Sequence, residues 1–233
     1  MSAIQNPEEL KLDVLVQSTY ESIKEAILTN RLRPGNKLNH QQLAEQFGVS
    51  RTPVRESLER LYQEGYVTRI ANKGYYVAEI DTKEVHELYQ TREALETHAL
   101  KTALAMGVPD SEIKKLKEIN KRYKSLCMED LSRERLFIDR EFHLALAKQS
   151  HNDYLCRTLA AIFDRLILKR RVEGYHALRG MTPYEDHEKI LTAIAAGNDK
   201  SALSLLHSHI EGACDRFVKY LTPSSTPATS QKK

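Results

Sequence analysis

The tightest constraint on the fold lies in residues 39–65, NHQQLAEQFGVSRTPVRESLERLYQEG, where two short helices must meet at a tight turn. Asn39 followed three residues on by Gln42 has the spacing of a capping box, which starts a first helix that runs to about Phe47. Gly48 stops it, because a helix C-terminal cap needs a positive φ that glycine adopts without a Cβ penalty. Ser50 is placed to cap the next helix, and Pro53 falls in its first turn, where a missing N–H costs nothing. Two helices joined by a glycine-bearing turn of this length form a helix-turn-helix.

The second of these helices has two unlike halves. Val54, Leu58 and Leu61 repeat at i, i+4, i+7 and must face a core, which leaves Arg51, Thr52 and Arg55 pointing outward near its start. Glu56, Glu59 and Glu64 in the second half would repel phosphates, so only the first half can enter a groove of duplex DNA. Arginine can bond guanine O6 and N7 together, and threonine can serve a phosphate or a thymine methyl. Two β-rich runs then flank Ala71-Asn-Lys-Gly74, predicting a hairpin wing with Lys73 and Gly74 at its tip. Charge agrees only locally. Residues 31–73 carry eight basic and four acidic side chains, whereas residues 1–80 carry ten of each.

The stretch SRTPVRESLERLYQEGYV followed by a Lys-Gly wing resembles the winged helix of the GntR family of bacterial transcription regulators. The signals further along are similar to the FadR-type subfamily, which joins this reader to an FCD ligand-sensing domain. The resemblance runs from about Val14 to Leu221 and implies a homodimeric, effector-controlled protein that binds a double-stranded operator, with repression the expected sign. Ser50, Arg51, Thr52, Arg55, Lys73 and Gly74 are then the expected DNA-binding residues. Gln41 stands where some relatives carry a basic contact, and Ser150-His-Asn-Asp-Tyr lacks an Asn-Pro often seen there.

The expected fold is mainly α. Residues 1–12 read as a mobile arm, 13–80 as the winged helix-turn-helix, 81–221 as an all-helical effector, metal and dimerisation domain, and 222–233 as a disordered tail. Helical spacing of Val16, Tyr20, Ile23 and Ile27 supplies the first helix, and Asp81 with Glu84 caps the first helix of the second domain. Breaks at residues 107–109, 129–132, 150–152, 174–182 and 197–198 divide the rest into six helices, whose lengths suit an antiparallel bundle. The loop of residues 171–181 is long enough to cover a pocket. No run of about 18 apolar residues and no leader occurs, and three widely spaced cysteines make a disulfide framework unexpected, so a cytoplasmic protein without a membrane partner is expected.

The informative positions in the bundle are polar residues on apolar stripes. Asp139 and His143 share a face with Leu136 and Leu146. His187 falls in line with Ile190, Leu191 and Ile194, behind a capping box expected at Thr182-Pro-Tyr-Glu185. His209 falls with Leu205, Leu206 and Ala213, while His207 should point elsewhere. A carboxylate and three imidazoles buried together must satisfy one another or bind something. Hydrogen-bonded core histidines are one solution. A divalent metal is the other, with zinc first and nickel or manganese also suited, and the positions match the Asp-x-x-x-His, His, His pattern of metal-binding FCD domains. Arg92 lies on the stripe of Val85, Leu88, Leu95 and Ala99 and needs an anion, either a carboxylate from another helix or that of a small organic-acid effector. Alternatives to an acid-sensing regulator are one that senses or structurally holds the metal alone, and a metal-dependent hydrolase. No evident general base stands beside the ligands, which weighs against the hydrolase.

Overall fold

A computed structural model describes residues 7–127, 132–169 and 181–221 of the 233-residue chain. Their order is α1 Pro7–Leu28, β1 Lys37–Leu38, α2 His40–Phe47, α3 Arg51–Gln63, β2 Val67–Ile70, β3 Gly74–Val77, α4 Thr82–Met106, α5 Asp110–Ser125, α6 Arg133–Lys148, α7 Asp153–Lys169, α8 Thr182–Ala195 and α9 Asp199–Leu221. The expected tail, the loop of residues 171–180 and the first six residues of the expected arm lie outside the described residues.

These elements fall into two compact units. The first holds α1 to β3 up to Ile80, the start of α6 as far as Phe137 and the end of α7 from Ala160; the second holds the remainder. In the first, Tyr20, Ile23 and Ile27 of α1 bury against Leu43 of α2, Val54, Leu58 and Leu61 of α3, Val67 and Val77 of the sheet, and Leu168 of α7. The sheet has the order β1-β3-β2, with both pairs antiparallel and Ile70 opposite Gly74. In the second unit α4 packs on α9, α9 on α8 and α8 on α5. Asp81 caps α4 as expected, accepting from the Glu84 amide at 2.8 Å.

Three local expectations are corrected. Helix α1 starts at Pro7, inside the stretch expected as an arm, and proline suits the first helical position. Thr182 is the first residue of α8 rather than its cap; Met181 takes that place, without a side-chain bond. Ser50 has the extended backbone of a cap residue, yet its hydroxyl makes no cap hydrogen bond.

Candidate nucleic-acid interface and metal centre

The turn is built as its residues demand. Asn39 Oδ1 accepts from the amides of Gln41 at 2.9 Å and Gln42 at 3.3 Å, and Gly48 ends α2 at φ 67°, ψ 32°. On α3, Val54, Leu58 and Leu61 are wholly buried, while Ser50, Arg51, Thr52 and Arg55 are exposed together at the start. Arg51 Nη2 donates to Gln41 Oε1 at 2.9 Å, and Gln41 Nε2 donates to Glu45 Oε1 at 3.1 Å, so Gln41 steadies an arginine of α3 from α2. Glu59 in the second half of α3 and Glu64 at its C-cap are turned to the protein's own tyrosines. Glu59 accepts from the Tyr75 hydroxyl at 2.7 Å and Glu64 from that of Tyr20 at 2.5 Å. At the wing, Lys73 is exposed, but Gly74 is the first residue of β3 rather than part of the tip; the turn is made by Ala71, Asn72 and Lys73, with Asn72 at φ 59°. A short polar side chain tolerates that left-handed conformation better than most.

In the second unit Asp139, His143, His187 and His209 come together, with one ligand atom from each lying within 4.8 Å of every other. The three histidines are buried and Asp139 is half-buried. Each imidazole is held from behind. His143 Nδ1 lies 2.5 Å from Glu96 Oε2, His187 Nδ1 3.0 Å from Asn120 Oδ1, and His209 Nδ1 3.4 Å from Asp186 Oδ2. Those oxygens only accept, so the ring protons belong on Nδ1 and each Nε2 turns its lone pair to the cluster, that of His143 also accepting from Arg92. His209 Nε2 then faces His143 Nε2 at 3.2 Å, two lone pairs whose repulsion is eased by the cationic Arg92 beside His143. His187 Nε2 is buried with no hydrogen-bond partner, 3.7 Å from Asp139 Oδ1. Stacking of Phe142 on the His187 ring, centroids 3.9 Å apart, fixes its plane.

Electrostatics keeps the donors ready. Burial, followed by the neighbouring His209 and His143, pushes the His187 imidazole well below its usual range, and burial also lowers His209. Both are therefore neutral at neutral pH, the form that ligates metal. The hydrogen bond from His209 holds the Asp186 carboxyl low. Burial would raise the Glu96 carboxyl, but Arg92 and His143 outweigh it and hold the group at about 2. Arg92 is buried and pairs through Nε with Glu96, one turn along its own helix; its Nη2 donates to His143 Nε2 at 2.9 Å. The carboxylate that Arg92 Nε meets is that of Glu96 on α4 itself, where the sequence leaves open a carboxylate of another helix or of an effector. The donor set, three imidazole nitrogens and a carboxylate with Nε2 atoms converging, fits a divalent metal.

Comparison with known proteins bears on both regions. The model of bacterial regulatory proteins of the gntR family matches residues 15–77, and that of the FCD domain matches residues 87–212, more than half of the chain. The chain belongs to the GntR family and carries an FCD domain. It is 31% identical to the Nta operon transcriptional regulator of Aminobacter aminovorans over 83% of this chain and 90% of that protein. It is 30% identical to the Uxu operon regulator of Haemophilus influenzae, over 86% of this chain and 82% of that one. The solved structure of E. coli McbR/YncC is similar in fold, with a TM-score of 0.74 and 23% identity over 89% of this chain and 99% of that chain.

This GntR-family protein is a DNA-binding transcription regulator rather than an enzyme, and among its described residues no helix is long and apolar enough to cross a membrane. Sequence reasoning did not single out the residues behind the histidines. Asn120 continues the stripe of Ile113, Leu116 and Tyr123 on α5, a polar residue on an apolar face that the same rule finds. Glu96 stands one turn after Arg92, the spacing of a helical ion pair. Asp186 has no such signal, being half-exposed and adjacent in sequence to His187.

Proposed function

We propose that this regulator is a homodimeric repressor whose FCD bundle holds a divalent cation, zinc by its donor set, on Asp139, His143, His187 and His209, and admits a small organic acid as effector. The observation that carries the metal is the buried, unpartnered Nε2 of His187, facing Asp139 while Asn120 fixes its other nitrogen. Four protein donors leave a larger coordination sphere open for further oxygen ligands, and Arg92 beside them suits a carboxylate. Ser50, Arg51, Thr52, Arg55 and Lys73 are the residues proposed to meet DNA, with Gly74 acting through the geometry of the wing. In a dimer, two such helices must match half-sites about one helical turn apart, so an effector that prefers one arrangement of the pair alters operator affinity.

One observation favours a second reading. Arg92 is already engaged by Glu96 and His143, which suits a pocket that senses or simply holds the metal without an acid. Thermal melting with a panel of small carboxylates, before and after a chelator, separates the two. The effector reading expects a carboxylate that raises the melting temperature of metal-loaded protein and does nothing once metal is stripped. Stabilisation by metal with no response to any carboxylate would establish the second reading instead.

A further inference from the structure

Helix C-termini leave their last carbonyls without intrahelical partners and carry the negative end of the macrodipole, so a cation placed there satisfies both demands. In the first unit, three helix ends are met in this way by two arginines from α6 and α7. Arg133, in the first turn of α6, is buried; its Nη1 donates to the Leu28 carbonyl at 2.7 Å, where α1 ends, and to that of Ile167 at 2.8 Å. Its Nη2 donates to Asn30 Oδ1 at 3.1 Å and to the Leu168 carbonyl at 3.4 Å, near the end of α7. Arg165 of α7 donates from Nη2 to the carbonyl of Glu64, the C-cap of α3, at 2.6 Å. The next residue, Gly65, has φ +79°, and a Cβ there would stand 3.1 Å from Arg165 Nη2, so glycine keeps room for the guanidinium. Lys24 and Asp164, 3.7 Å apart, add a second tie between α1 and α7.

Neither arginine belongs to the helix-turn-helix, yet together they hold the rear of the DNA-reading helix and of the helix it packs on. We propose that Arg133 and Arg165 are positioning residues for operator recognition: by capping α1 and α3 they set the placement of α3 and make it answer to α6 and α7. Helix α6 runs on into the second unit, where Asp139 and His143 follow six and ten residues after Arg133. The control of α3 by the pocket rests on the function proposed above; the capping role does not.

The test uses the full-length protein and two DNA probes, a duplex selected from a random-sequence pool and an unselected duplex. In Arg165→Met and Arg133→Met, the ratio of selected to unselected affinity falls by about fivefold or more. Arg165→Lys, which keeps one donor, retains most of it. The slope of log affinity against log salt stays as in wild type, because no phosphate contact is lost. A smaller fall in Arg165→Met, or a fall accompanied by a shallower salt slope, overturns the proposal, the latter by making Arg165 a phosphate contact. If Arg133→Met does not fold, the Arg165 pair of variants decides. Should adding zinc or a chelator leave the wild-type affinity for the selected duplex unchanged, the pocket reading fails, while the affinity ratio still judges the caps.

Discussion

Each histidine of the cluster has its own acceptor, and the three acceptors differ in kind: a buried carboxylate for His143, an amide for His187 and a half-exposed carboxylate for His209. Asn120 is tied in turn by Nδ2 to Glu188 Oε1 at 2.7 Å and to the Tyr184 carbonyl at 3.2 Å, so it cannot flip without losing both bonds. Replacing Asn120 with Ala removes the acceptor that fixes the proton on His187 Nδ1 and lets the ring flip within its plane, and should weaken metal binding by roughly 10–100-fold, read by competition with a chelating dye. In the reader, Arg55→Ala should cost about 1–3 kcal/mol of operator affinity if the side chain reads a base, and unchanged binding would remove it from the interface. At this scale the sequence was informative wherever a polar residue broke an apolar stripe, as with Asp139, His143, His187, His209 and Arg92. It was silent about Asp186, because a half-exposed carboxylate beside a helix start looks like any solvated acid.

Among the elements, α3 is held from several sides. Its core stripe is wholly buried, Ser57 Oγ donates to the Val16 carbonyl at 3.0 Å, and Arg60 stacks on the Tyr20 ring at 3.9 Å while its Nη1 donates to Gln17 Oε1. Burial, followed by the hydrogen bond to Glu64, raises the Tyr20 phenol above its ordinary value of 10.0. A raised folded-state value stabilises the protein while pH is below 10.0, and that contribution is lost as pH climbs through the folded value. Tyr20→Phe should therefore cost about 1–3 kcal/mol near neutral pH, and the gap from wild type should close in alkali; melts against pH that stay parallel would contradict this. The helices were legible because caps, glycine and apolar spacing agree at their ends. The two-residue strand β1 was not, since only its pairing with β3 defines it. Nor was the loyalty of α7 legible: periodicity says that Leu168 is buried, not that it is buried among α1, α3 and the sheet.

For the whole molecule, the family was legible in one motif and the run of helices after it. The places where the chain changes unit were not, because α6 and α7 are continuous helices that each begin in one unit and finish in the other. The function proposed for the bundle stands provided the pocket holds its metal. Elemental analysis of purified wild type beside His187→Ala tests that proviso most directly. About one divalent ion per chain is expected in wild type and essentially none in the variant, with the operator still bound because the reader stays folded. Equal metal content in the two proteins would contradict the account at its centre.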